Sequence, residues 1–372
     1  MRRFLIAFLI VLLLPFCTFA AENTDYKNAL ESYDLSVFKE ELDSDTYVLL
    51  DELGLSDFDY NSISSLSFEN VMNIIKNLAL SKLKSPLKGV LGILVFILLS
   101  ALFQSLKMQG DDDLNSVYSS CAALILSVVL VGQISPSITL AVTSVKLAGS
   151  FIFAFVPVFC AIVAASGGAT TAFATNSMLL MLSQGLNFIS SNIFMPVINC
   201  FLAIGICSSV RSELSLENLI STLRRGITSA VSIVSAVFVS ILSVKTSISA
   251  RADMLGIRSI RFVINSVVPV IGGSISEGLL SIQSYSSLIK SSVGIVGICA
   301  IALVFLPSII EIMLWRAALS AATLISDAFG DSSVSLVLRT FKDTALLINV
   351  ILVLSMVTTV ISFGILIAAR SA

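Results

Sequence analysis

The sequence contains no histidine and few charged residues. None of its 372 residues is histidine, and only 12% are charged, against about 25% in soluble globular proteins. Without histidine the chain cannot form a Ser-His-Asp triad, an HExxH zinc site or a histidine-ligated haem. Hydrophobic residues make up 56% of the chain, and the mean hydropathy is +0.99. We therefore predict a membrane protein that is not an enzyme.

Motifs for binding nucleotides are also missing. There is no GxxxxGK[ST] loop and no strand-associated GxGxxG. Residues 21–85 carry 13 of the 24 acidic residues, whereas residues 86–372 carry 15 basic and 11 acidic residues. Neither part is basic enough to indicate nucleic-acid binding. We predict no cofactor, no metal site and no nucleic-acid partner.

The N-terminus has the pattern of a secretory signal peptide. Two arginines precede the apolar run Phe4 to Phe16, and small residues follow it. The run is shorter than the roughly 20 residues that cross a bilayer. We predict a signal peptide over residues 1–20, with an uncleaved anchor as the alternative. Either one places the acidic segment, residues 21–85, on the extracytoplasmic side.

The end of the acidic segment has helical periodicity. Apolar residues recur every three or four positions from Phe68 to Leu83, beside several lysines. This predicts an amphipathic juxtamembrane helix, separated by Pro86 from the first membrane span. Two interpretations remain open: the helix lies on the membrane surface, or it docks against a partner helix.

The remainder, residues 86–372, predicts an all-α, multi-spanning membrane domain. Its apolar segments indicate about eight transmembrane helices. They lie near 89–106, 117–140, 147–165, 178–210, 227–244, 262–283, 293–315 and 343–367. With eight spans, the loops near 107–116, 166–177, 245–261 and 316–342 would face the cytoplasm.

Proline and glycine motifs recur in two parts of this domain. Pro157 corresponds to Pro269, Gly167-Gly168 to Gly272-Gly273, and Pro196 to Pro307. Leu223-Arg224 likewise corresponds to Leu338-Arg339. The pattern favours a duplication with repeats at 147–244 and 262–367, although prolines and glycines interrupt membrane helices in any case. Three spans in each unit would invert the second copy, and the matched residues would be broken-helix positions.

Two carboxylates in apolar surroundings are candidate functional residues. Glu277 follows the Gly272-Gly273 pair, and Glu311 lies four residues after Pro307. A charge in lipid is costly, so both are candidates for a pore or an ion-coupling site. Alternatively, Glu311 lies near the interface beside Trp315, and Glu277 lies in a hydrated loop. The uncharged segment Ser166 to Thr171 is either a re-entrant element or a tight helix–helix connection.

An ordered set of motifs resembles the stage III sporulation protein AE family. They are Phe155-Val156-Pro157, Ala164 to Ala169, Val268 to Gly272, Ser291 to Gly297 and Phe305-Leu306-Pro307. The resemblance covers most of the chain, although the first 85 residues match mainly in character. It includes no catalytic motif.

The resemblance implies a multi-pass protein of the mother-cell membrane that surrounds the forespore. It implies a subunit of a secretion or feeding channel assembly required for endospore formation. The implied partners are stage III sporulation proteins AA (an ATPase), AB, AC, AD, AF, AG and AH, membrane lipid and, indirectly, stage II sporulation protein Q. The alternative is a stand-alone secondary transporter built on the inverted repeat.

Overall fold

The computed structural model describes residues 42–55, 68–105, 112–210, 217–267, 272–330 and 332–368. All regular structure in these ranges is helical. The elements are α1 (Ser44–Glu52), α2 (Phe68–Lys82), α3 (Lys84–Ser105), α4 (Asp112–Ala165), α5 (Ala169–Phe188), a π-helical segment (Ile189–Phe194), α6 (Met195–Val210), α7 (Glu217–Val267), α8 (Gly272–Ala328) and α9 (Ser332–Ala368). The predicted signal peptide, residues 1–20, lies outside the described residues.

Three of the helices are far longer than a bilayer is thick. Helices α4, α7 and α8 contain 54, 51 and 57 residues. At 1.5 Å per residue they are about 81, 77 and 86 Å long, whereas the hydrocarbon core of a bilayer is about 30 Å thick. Each of them therefore extends well beyond one bilayer thickness.

Five helices of the described part are long and apolar enough to cross a membrane, so the predicted count of eight is not confirmed. They are Glu69–Leu102, Val117–Ala165, Ser221–Ser259, Ser287–Ala328 and Ser332–Ala368. The predicted spans 117–140 and 147–165 form the single helix α4. The connection between them contains no proline or glycine that would end a helix, so α4 continues through Lys146.

The predicted loop at 245–261 is also helical, in the second half of α7. Buried residues recur there every three or four positions, at Leu242, Thr246, Ser249, Asp253 and Ile257. Lys245, Arg251 and Arg258 lie on the exposed face of this amphipathic helix. The predicted span 262–283 likewise divides between the end of α7 and the start of α8.

The directions of the helices differ from the predicted inverted repeat. Arg224 of α7 contacts Asp343 of α9, one turn from Arg339. The matched motifs Leu223-Arg224 and Leu338-Arg339 therefore lie at the same end of the helices, whereas an inverted copy would place them at opposite ends. The described parts of 262–283 belong to the end of α7 and the start of α8, so the predicted span there and the inverted repeat are not confirmed.

The interior is formed where α4, α8 and α9 pack closely together. Phe151, Phe155 and Phe159 of α4 stack along one face, and Phe363 of α9 lies 5.3 Å from Phe155 between ring centroids. Gly297 of α8 leaves room for these rings, since a Cβ there would lie 2.6 Å from Phe155 Cζ. A Cβ at the neighbouring Gly294 would lie 2.5 Å from Ile367 of α9. These glycines allow a close approach of three helices.

The N-terminal helices pack onto this bundle. Leu50 of α1 and Leu55 just after it are buried in the main hydrophobic core, and α1 contacts α8. Helix α2 ends at Lys82, and α3 begins two residues later with Pro86 in its first turn, where a missing N–H is tolerated. The described part of the acidic segment is thus attached to the membrane domain.

Candidate functional site

One polar cluster surrounds Glu311, on the face of α8 that contacts α4. Ser137 donates a 2.5 Å hydrogen bond to Glu311 Oε1, and Trp315 Nε1 donates a 3.0 Å hydrogen bond to Ser137 Oγ. Lys82 Nζ at the end of α2 lies 3.7 Å from Glu311 Oε2. We call these four residues the Glu311 layer. Glu311 and Trp315 are buried, and Lys82 is about one-third exposed.

A buried amide adjoins the Glu311 layer. Gln133 of α4 has a buried Oε1 without a hydrogen-bond partner. A Cβ added to Gly89 of α3 would lie 2.8 Å from that oxygen and would overlap the Trp315 ring. Helices α3, α4 and α8 therefore meet closely at this level. A buried carbonyl of this kind is a common position for an ordered water.

A second polar cluster closes the turn between α4 and α5. Asp253 of α7 accepts backbone hydrogen bonds from Thr170 at 2.7 Å and from Thr171 at 2.8 Å. These N–H groups belong to the first turn of α5, where no earlier carbonyl is available to them. Lys290 of α8 is buried and interacts electrostatically with Asp253. We call these four residues the Asp253 layer.

The turn itself depends on Gly167. Its φ of 90° lies in the left-handed region that favours glycine. The Gly168 N–H donates to the Val163 carbonyl at 3.0 Å, and the Ser166 hydroxyl donates to the same carbonyl at 2.7 Å. The chain therefore reverses direction in three residues. The segment Ser166 to Gly168 is a tight connection, and α5 begins directly after it.

The two layers are one bilayer thickness apart. Lys290 and Glu311 are 21 residues apart on α8, which corresponds to about 31 Å. The intervening residues 291–310 contain no charged side chain. Neighbouring helices have charge-free stretches of similar length, at 226–244 in α7 and 344–368 in α9. This length is close to the thickness of about 30 Å of a bilayer's hydrocarbon core.

The two layers also define the two ends of the molecule. Residues 166–177 and the middle of α7 meet at the Asp253 layer. The turn at Phe329 and Gly330 follows α8, whose end is about 57 Å farther along the helix than Lys290. The predicted loops 166–177 and 316–342 therefore lie at opposite ends of the bundle and not on one side.

The structure places the other predicted residues as follows. Pro157 and Pro307 lie inside α4 and α8, which continue through them as helices. Pro196 is the second residue of α6, directly after the π-helical segment. Gly272 and Gly273 are the first residues of α8, and Pro269 lies outside the described residues. Glu277 lies in the second turn of α8, but its side chain is not among those described.

The role of Asp253 was not predicted from the sequence. It is the single acidic residue among the basic residues of 245–261, and this isolation was the available signal. Its partners come from α5 and α8, so no local pattern identifies them. Within the described ranges no three His, Cys, Asp or Glu side chains are grouped as metal ligands would be.

The geometry defines a class of protein. The described chain is an all-helical bundle with five helices long and apolar enough to cross a membrane, and its buried charges form two layers. The profile of the family described as stage III sporulation protein AE matches residues 57–370. The chain belongs to this family, and the predicted resemblance is confirmed. The family is therefore one of sporulation proteins, and its description names no reaction.

A curated relative agrees with the family. The chain is 26% identical over 204 residues to stage III sporulation protein AE of Bacillus subtilis (strain 168). The match covers 55% of this chain and 51% of that protein, so the chain spans about half the length of the relative. No solved structure matches the chain.

Proposed function

We propose that this chain is an integral membrane subunit of the mother-cell-to-forespore secretion or feeding channel assembly required for endospore formation. Membership of a sporulation family supports the process. The observation that carries the membrane role is the charge-free stretch of about 31 Å between the two polar layers. A bundle of this kind serves as a wall or scaffold in a membrane assembly and catalyses no reaction itself.

The buried charges favour a structural role over ion coupling. Glu311 lies beside Lys82 and accepts a hydrogen bond from Ser137. Asp253 accepts two backbone hydrogen bonds and interacts with Lys290. A carboxylate that couples ion movement must exchange its partners during the cycle, whereas these carboxylates are paired and hydrogen-bonded. The arrangement supports a subunit whose energy comes from a partner.

The proposal includes an orientation and a set of partners. With residues 1–20 as a signal peptide and residues 21–85 extracytoplasmic, the Glu311 layer faces the extracytoplasmic side because Lys82 belongs to it. The protein would be multi-pass in the mother-cell membrane. Stage III sporulation protein AA would supply ATP hydrolysis, and proteins AB, AC, AD, AF, AG and AH would complete the assembly. Stage II sporulation protein Q would connect it to the forespore.

Two measurements test the proposal. Affinity purification of the full chain from sporulating cells should recover other stage III proteins. The double variant Glu277→Gln, Glu311→Gln should sporulate as well as the exposed control Glu52→Gln. Loss of sporulation by the double variant at normal abundance in the membrane would instead indicate a secondary transporter. Recovery of the chain without any stage III partner would contradict the channel assembly.

A further inference from the structure

The outer face of α4 carries polar side chains. Exposed residues recur at Ser135, Thr139, Thr143 and Lys146, and half-buried Ser150 follows. Intervals of four, four, three and four residues keep them within an arc of about 80° around the helix. We call these five residues the α4 polar stripe.

The stripe lies between the two polar layers. Ser144 of α4 and Ser308 of α8 are 2.7 Å apart between their hydroxyl oxygens. Lys146 follows Ser144 by two residues, so it lies at the depth of the charge-free stretch 291–310. Along α4 it is about 14 Å from Ser137 of the Glu311 layer. The lysine is therefore well inside the proposed hydrocarbon core.

Helix α7 has a different outer face at the same depth. Its exposed residues there include Ile233, Val234, Val237, Ile241 and Val244, all of them apolar. Val237 is about midway between Arg224 and Asp253, which contact the two ends of the bundle. This face has the chemistry of a surface in contact with lipid chains. Ser240 is exposed on this face as well, and its hydroxyl donates to the Ala236 carbonyl. The outer face of α4 therefore differs from that of α7 chiefly in carrying a charge at this depth.

A charged side chain within a membrane usually faces the interior of a bundle or a water-filled cavity. Lys146 is exposed, so it does not face the interior of this bundle. A lysine ammonium is compact and strongly hydrated. We propose that the α4 polar stripe lines an aqueous path, as this chain's contribution to the wall of the channel. The proposal rests on the proposed channel function and names the surface of the chain that faces water.

The stripe also defines which solutes the path favours. Lys146 places a positive charge between the two layers, nearer the Glu311 layer, among hydroxyl groups of which that of Thr139 donates to the Ser135 carbonyl. Positive side chains in a pore favour anions. The wall formed by α4 should therefore admit small anions more readily than cations of the same size.

Cysteine accessibility in the intact assembly tests the inference. The full chain, with its six native cysteines replaced by serine, would carry single cysteines at Thr139, Thr143 or Ser150. The matched controls are Val237→Cys and Ile241→Cys on α7. In membranes of sporulating cells, a water-soluble methanethiosulfonate reagent should label the stripe at least tenfold faster than the controls. Equal labelling of stripe and controls, or labelling of the stripe only after detergent extraction, would overturn the proposal.

A second measurement concerns the charge. At Thr143→Cys, an anionic reagent should react several-fold faster than a cationic reagent of similar size. Lys146→Met should remove this difference, and Lys146→Arg should retain it. No change in the ratio with Lys146→Met would contradict an anion-favouring wall.

The outcomes separate this inference from the proposed function. If the cysteine variants sporulate and co-purify with stage III proteins but the stripe is not labelled, the channel function stands and the inference fails. A protein partner covering the stripe would give that result. If the chain is recovered without stage III partners, the proposed function fails whatever the labelling shows.

Discussion

Asp253 Oδ2 accepts a 2.8 Å hydrogen bond from the backbone N–H of Thr171, so a side chain from the middle of α7 caps the start of α5. An N-cap is usually supplied by the residue that precedes the helix. Here that position is Gly168, which has no side chain to donate or accept. A distant carboxylate takes over the role, and the turn between α4 and α5 thereby depends on the position of α7.

Removing the charge at Asp253 should open this turn. Asp253→Asn keeps one acceptor oxygen but removes the negative charge that interacts with the buried Lys290. Leaving one of the two buried backbone donors of α5 unsatisfied costs about 1–3 kcal/mol. The purified protein should unfold at a lower temperature, and a Ser166→Cys thiol, buried in the parent, should react faster.

The matched control is Glu52→Gln, which removes an exposed carboxylate and should change neither measurement. The double variant Asp253→Asn, Lys290→Met should lose less stability than the sum of the two single variants, because the electrostatic interaction between the two residues is counted in both singles. If the double variant loses as much unfolding free energy as the two single variants together, the two residues do not interact.

Gly297 should not tolerate a methyl group. A Cβ there would lie 2.6 Å from Phe155 Cζ, and the ring is held by Phe151, Phe159 and Phe363. Overpacking of this kind costs about 1–3 kcal/mol. Gly297→Ala should lower the unfolding temperature, whereas Gly364→Ala, with no atom within 4 Å of its new Cβ, should leave it unchanged or raise it slightly. Equal effects would argue against the close packing of α4 on α8.

Ser144 and Ser308 should form a disulfide when both are replaced by cysteine. Their hydroxyl oxygens are 2.7 Å apart across the contact of α4 and α8, so the two side chains point toward each other, as a disulfide requires. After oxidation, the variant Ser144→Cys, Ser308→Cys should migrate differently on a non-reducing gel than on a reducing gel, because the disulfide closes a loop within the chain. The pair Thr139→Cys, Ser308→Cys should not cross-link, since Thr139 is on the exposed face of α4. Cross-linking of the control pair alone would contradict the register of the two helices.

The contacts of Glu311 should be unequal in strength. Lys82 is 32% exposed and 3.7 Å away, so water screens the pair and the coupling should stay below about 1 kcal/mol. Ser137 donates a buried 2.5 Å hydrogen bond to the same carboxylate, and bonds to charged groups contribute about 1.5–3 kcal/mol. Double-mutant cycles with Glu311→Gln should give a larger coupling for Ser137→Ala than for Lys82→Met. The reverse order would show that the ion pair dominates.

The composition predicted the helical membrane class correctly because long apolar segments have few other solutions. It did not predict where helices continue. The gap between the predicted spans 117–140 and 147–165 and the predicted loop 245–261 both lie within helices. Exposed charges such as Lys146 and Arg251 do not end a helix. Proline was similarly ambiguous, since Pro157 and Pro307 lie inside helices whereas Pro86 lies in a first turn.

Glu311 was a candidate functional residue because its neighbours in the sequence are apolar, and the structure buries its side chain. Its partners were not predictable, because Lys82 and Ser137 are more than 170 residues away and contact it only through the packing of α2 and α4 on α8. The partners of Asp253 were not predictable for the same reason, since they belong to α5 and α8. The relative direction of the repeated motifs could be determined only from the contact of Arg224 with Asp343. No spacing in the sequence specifies that contact.

The length of α8 has a mechanical consequence. A helix of 57 residues is about 86 Å long, and packed helices move as stiff units. A tilt of about 10° around one end would displace the other end by about 15 Å, given that length. Helix α8 connects the turn at Phe329 and Gly330 with the region that caps the start of α5. A small rotation of α8 near one of these regions would therefore move the other region by a large distance.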